Sequence, residues 1–156
     1  MNAFTHPVTR WMTGLCFVAL LGMQVAQADP EFDPPGRVAR LNLAEGAVSV
    51  QPQGSKNWSD EVANRPLTSG DRIWADRQAR AELHVGSTAI RLGSETGLGL
   101  ETIDDRAVRL QLNAGGLQVR VRALGPDDTF EIATPFARVS VLTPGSYRLD
   151  VSPRGD

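Results

Sequence analysis

From residue 37 onward, apolar and polar residues alternate with a period of two, segment after segment. Ala39, Leu41 and Leu43 point one way, with Arg40 and Asn42 between them. Ala81, Leu83 and Val85 alternate with Glu82 and His84, and Ile90 and Leu92 flank Arg91. Val108, Leu110 and Leu112 alternate with Arg109 and Gln111, then Leu117, Val119 and Val121 with Gln118, Arg120 and Arg122. Val139 and Val141 alternate with Arg138 and Ser140, and Tyr147, Leu149 and Val151 with Arg148 and Asp150. Successive side chains of a strand point to opposite faces, so each segment predicts a strand with one apolar and one wet side. No window carries sustained apolar residues at helical spacing. The pattern predicts an all-β domain.

A weak repetition runs through it. Val85-Gly86-Ser87, Leu112 to Gly116 and Leu142 to Gly145 read as strand–turn–strand junctions, with glycines 30 and 29 residues apart, and Glu45-Gly46 makes a similar one earlier. Units at a near-constant period predict a twisted, β-solenoid-like stack of short strands. A β-sandwich has the same short strands and turns and is the alternative.

The first residues differ in kind. Residues 1–28 carry one positive charge at Arg10, then the apolar run Leu15 to Leu21, then the small-residue pattern Ala26-Gln27-Ala28 before Asp29-Pro30. That order is a secretory signal peptide. The apolar core is too short to cross a bilayer of about 30 Å as a helix, so no retained membrane span is expected. Residues 29–36 form a Pro-rich acidic leader, and 37–156 the β domain. Cleavage removes Cys16, the only cysteine, which excludes disulfides, thiol nucleophiles and thiolate metal sites. It also removes Arg10, taking the formal charge from −2 to −3. A weakly acidic chain of this size lacks the electrostatic footprint of a nucleic-acid binder.

Several stretches in order resemble the FecR-type periplasmic domain. They are Leu43-Ala44-Glu45-Gly46-Ala47-Val48, Leu67-Thr68-Ser69-Gly70-Asp71-Arg72-Ile73, Ala81-Glu82-Leu83 with Gly86-Ser87, Leu112 to Leu117, Thr134-Pro135-Phe136-Ala137, and Pro144-Gly145-Ser146-Tyr147 with Leu149 and Val151. The leader Asp33 to Val38 and Asn64-Arg65-Pro66-Leu67 resemble a secreted proteobacterial subgroup of unknown function. The resemblance implies a periplasmic β-solenoid-like domain. In the best-known members that domain belongs to an inner-membrane sigma-factor regulator relaying a signal from an outer-membrane iron–siderophore transporter. On this reading the cytoplasmic domain, the retained span and the second periplasmic domain of that architecture are not expected in this chain. It also has Thr143-Pro144-Gly145-Ser146 where many members have Arg-Gly-Thr. The iron-signalling role is not carried over. The family pattern expects a further strand pair after Val151, so the domain reads as C-terminally incomplete, with an edge open to strand pairing. The terminal Arg154-Gly155-Asp156 spells a cell-adhesion tripeptide, taken as coincidence.

Catalytic patterns are sparse. After cleavage His84 is the only histidine, on an alternating strand beside Glu82, and reads as a surface residue. There is no Gly-x-Ser-x-Gly elbow, His-Glu-x-x-His pair or phosphate-binding glycine loop. Gly93, Gly97 and Gly99 read as a bulge or tight bend. Asp104-Asp105 and Asp127-Asp128 lack the alternate spacing of a calcium loop and read as turn residues. No metal or cofactor is expected. The feature of most interest is a set of wet-side arginines, Arg91, Arg109, Arg120, Arg122, Arg138 and Arg148, able to grip carboxylates or phosphates bidentately. Pairing with Glu82, Glu131 and Asp150 across strands is the simpler account of them. Trp58, in a polar stretch, is a candidate binding aromatic. Trp74 reads as half-buried, and core packing is the reading taken for both. The sequence thus predicts a non-enzymatic periplasmic interaction or envelope module, partnered by an envelope protein or glycan. The alternative is a glycan- or peptidoglycan-binding signalling domain.

Overall fold

The computed structural model describes residues 36–152. The signal peptide expected over 1–28, all but the last residue of the leader 29–36, and the terminal Arg154-Gly155-Asp156 lie outside the described residues. Twelve strands follow in chain order: β1 (Ala39–Glu45), β2 (Val48–Gln51), β3 (Ser59–Asp60), β4 (Pro66–Leu67), β5 (Arg72–Ala75), β6 (Arg80–Val85), β7 (Thr88–Leu92), β8 (Thr96–Ile103), β9 (Ala107–Val121), β10 (Thr129–Ala133), β11 (Arg138–Ser140) and β12 (Gly145–Val151). The fold is all-β, and no helix among the described residues is long and apolar enough to cross a membrane.

The sheet runs in the order β3-β2-β5-β8-β9-β7-β6-β1-β4, with β10 and β12 also on β9 and β11 on β10. Its logic is four long ribbons laid side by side and folded over a common crease. One ribbon is β1 continuing into β2, the next β6 with β5, the next β7 with β8, and the last is β9 alone. On one side of the crease the order is β1-β6-β7-β9, on the other β2-β5-β8-β9. The result is one strongly curled half-barrel. Stacking of short strands takes this antiparallel form throughout, except where β10 runs parallel to the first part of β9.

The crease is written in backbone conformation. Each ribbon bends near a residue at positive φ: Gly46 (75°), Gln78 (62°), Glu95 (53°) and Gly115 (83°). Hydrogen bonds tie the bends together. Asp76 N donates to Ala47 O (3.0 Å), Glu95 N to Asp76 O (3.3 Å), Gln78 N to Ser94 Oγ (2.9 Å) and Gly93 N to Gly116 O (2.9 Å). At the last bend the wholly buried Thr96 accepts the Gly116 N–H through Oγ1 at 3.0 Å.

Two sequence expectations change here. Leu112 to Gly116 is not a reversal, because β9 bends there but continues unbroken. The apolar phase switches from even positions (Val108, Leu110, Leu112) to odd ones (Leu117, Val119, Val121) across the crease, so both halves face the core. An extra residue in a bulge has this effect on a continuing strand. Leu43 does not face the core with Ala39 and Leu41. A register shift between Leu41 and Leu43 turns it outward opposite Glu82 and brings Ala44 partly in.

Between the folded halves lies a single apolar core built from inward residues such as Leu41, Ile73, Leu83, Ile90, Leu100, Leu110 and Val119. Burial of each such side chain contributes about 1.5–3 kcal/mol. The Leu67 to Ile73 stretch is a structural clamp. Asp71, almost fully buried, accepts from Gln53 N (2.8 Å) and Thr68 N (2.9 Å), while Ser69 Oγ accepts from Ile103 N (2.8 Å) and donates to Ile103 O (3.2 Å). The acidic pairs act as turn residues. Asp104 Oδ1 accepts from the amides of Arg106 and Ala107, which hold its carboxyl below the usual range. Asp128 Oδ2 accepts from Gly125 N. Gly93 sits at the crease, and Gly97 borders the register shift where β9 carries an extra residue, Asn113, opposite β8.

Candidate interaction face

Because the core is filled by inward residues, polar chemistry is carried on the outer faces. Residues directly opposite one another in a ladder share a face and touch. On the half holding β1, β6, β7, β9 and β12 this gives one outer row of Arg40, His84, Ala89, Arg120 and Ser146. The next row is Leu43, Glu82, Arg91, Gln118 and Arg148.

Four of the six predicted arginines are matched by carboxylates. Arg91 Nε lies 2.6 Å from Glu82 Oε2, on the register partner. Arg109 Nε and Arg138 Nη1 share Glu131 Oε2 at 3.3 and 3.7 Å. Arg148 grips Asp150 with Nε at 2.8 Å and Nη2 at 3.1 Å. This last pair lies along one strand rather than across strands, because i and i+2 share a face. The Arg91 guanidinium, then His84, hold the Glu82 carboxyl below its ordinary range, and Arg148 does the same to Asp150. Arg120 and Arg122 have no carboxylate within salt-bridge distance among the described residues. They line an open groove of about 340 Å³ with Pro144, Gly145 and Ser146.

His84 is part of the face. Its Nε2 lies 2.7 Å from Glu82 Oε1 and its Nδ1 3.2 Å from Asn42 Nδ2. Both ring nitrogens are engaged, with Nε2–H donating to the carboxylate if Asn42 donates to Nδ1. The imidazole thereby ties β1 and β6 together.

The two tryptophans part company. Trp74 is half-buried as expected and lies on the backbone of Gly97, where an added Cβ would meet its ring at 3.2 Å. Core packing does not hold for Trp58. It is 47% exposed, because it sits in the polar connection leading to β3, the edge strand of its half. One same-face step along β5 from Trp74, at Arg72, an open groove of about 370 Å³ runs over the bare backbone of Gly99, walled by Arg72, Glu101, Gln111 and Asn113. The division of the arginines and the clamping role of Asp71 are what sequence reasoning missed. Both depend on strand register, which no local motif carries.

No protein-family model, curated protein or solved structure matches the chain.

Proposed function

We propose that this chain is a non-catalytic interaction module of the cell envelope, of FecR type, exported to the periplasm by residues 1–28. The observation that carries the reading is the outer face. Six outward arginines, on or just past β7, β9, β11 and β12, stand on a sheet tied together by the hydrogen bonds of the crease, so a charged surface of fixed spacing is offered to a partner. Fixed arginine geometry favours bidentate recognition of anionic groups over mere charge attraction. The engagement of both His84 nitrogens supports a binding role over acid–base work.

The test has two parts. A fusion of the first 28 residues to a reporter active only after export should give periplasmic activity. The exported protein should co-sediment with isolated envelope fractions, and a variant with all six arginines changed to glutamine should not. Equal sedimentation of both proteins, or of neither, refutes the reading.

The second reading, a glycan- or peptidoglycan-binding domain, is favoured by Trp58 and Trp74. An exposed indole, and a half-exposed one a step along the strand from a groove lined by amide and guanidinium groups, suit a sugar ring, whose apolar face packs on aromatics. Soluble peptidoglycan fragments should then change the tryptophan fluorescence, and Trp58→Ala should abolish the change. No change in the wild-type protein eliminates this reading.

A further inference from the structure

Strand β12 is paired with β9 on one side, and among the described residues no strand pairs with its other edge. An open edge presents a row of N–H and C=O groups to an incoming strand. The charges on β12 are satisfied internally, since Arg148 is bound by Asp150. The charges just behind it are not. Arg120 faces Ser146 across the ladder, so only a small side chain separates it from the open edge. Its neighbour on the other side, Ala89, is equally small. Arg122 follows two residues later, just past the end of β9 at Val121, and shares with Arg120 the groove over Gly145 and Ser146. Two guanidiniums without carboxylates thus stand together at the end of β9, beside the start of β12. Among the described residues, these two of the six outward arginines are the ones with no carboxylate within salt-bridge distance.

We propose that an extended acidic peptide adds as a strand to the open edge of β12, with carboxylates at alternate positions facing Arg120 and Arg122. This rests on the interaction-module reading and names its partner chemistry. Backbone pairing supplies the docking, and the two arginines select acidic side chains and fix register. The exposed Leu142 lies on the connection from β11 into β12.

The experiment is fluorescence anisotropy of a short labelled peptide alternating glutamate and valine, titrated with the purified protein at about 10 mM and about 150 mM salt. Binding is expected at both, weaker at the higher salt. Arg120→Gln with Arg122→Gln should weaken it about tenfold or more, while Arg77→Gln with Arg80→Gln, two arginines outside this set that pair with Glu95 and Glu45, should change it less than about twofold. A peptide N-methylated on the edge-facing amides should lose binding to a similar degree. Binding indifferent to N-methylation, or matched by an oligogalacturonate of equal charge, means that the arginines take any anion, and overturns strand addition. No binding of the peptide also overturns it. Envelope co-sedimentation that persists in that case leaves the broader reading standing, and its loss removes both.

Discussion

The crease stands or falls on Gly115. An alanine there must hold φ near 83°, a left-handed conformation costing an L-residue about 1–2 kcal/mol. Its Cβ would also overlap Thr96 Oγ1 and stand 2.5 Å from the Glu95 carbonyl oxygen and 2.6 Å from Thr96 Cα. Two of those three atoms are backbone, so no rotamer change relieves the clash. Forced overpacking of this kind costs about 1–3 kcal/mol. Moving Thr96 aside also breaks its bond from Gly116 N, a further loss of about 1 kcal/mol. The sum is about 3–6 kcal/mol. Gly54 provides the control, since it has φ 74° with nothing within 4 Å of an added Cβ. Gly54→Ala should therefore lose only the conformational part, about 1–2 kcal/mol. At about 4 °C per kcal/mol for a domain of this size, thermal denaturation followed by circular dichroism should put Gly115→Ala about 12–24 °C below wild type and Gly54→Ala about 4–8 °C below. Equal shifts for the two variants would refute the packed crease, since the left-handed conformation alone would then account for both.

Other substitutions probe the same frame. Thr96→Val keeps the shape but leaves the Gly116 amide without its acceptor, and should cost about 1–3 kcal/mol in urea denaturation. Asp71→Ala strands the amides of Gln53 and Thr68 in a nearly buried site and should cost about 2–4 kcal/mol by the same assay. Glu82 has its carboxyl pKa depressed by Arg91 and His84, so its contribution exists above the ordinary carboxylate range and disappears as pH falls through the depressed value. Glu82→Gln should accordingly be less stable than wild type at pH 7, with the gap closing below about pH 4; a gap that widens on acidification would reverse the assigned sign.

The alternation made most of the fold readable, because an inward–outward period of two survives wherever a strand has one buried face. Both halves of β9 were visible that way, and even the phase switch between them was on view in Leu112 and Leu117. Reading that switch as a turn failed because glycines serve reversals and bulges alike, and only the partner strands decide which. Gln78 and Glu95 gave no signal at all, being ordinary residues held at positive φ by the bonds of the crease. Strand β8 was obscured by Gly97 and Gly99, which lack side chains to alternate. The arginines were recognised as outward, yet which ones meet a carboxylate depends on register. Arg109 finds Glu131 only because β10 lies parallel to β9, a pairing that joins residues far apart in sequence. Trp58 was misjudged because a large aromatic in a small sheet is usually needed for the core, whereas here leucines and valines fill it.

The most direct test of the interaction face compares two double variants in envelope co-sedimentation at matched ionic strength. Arg120→Gln with Arg122→Gln removes the two arginines without a carboxylate partner, and Arg77→Gln with Arg80→Gln removes two outside the face, paired with Glu95 and Glu45. The net charge change is the same. Loss of binding by the first and retention by the second are expected. Equal loss in both would mean that bulk charge alone draws the protein to the envelope, and retention by the first would contradict the assigned face outright.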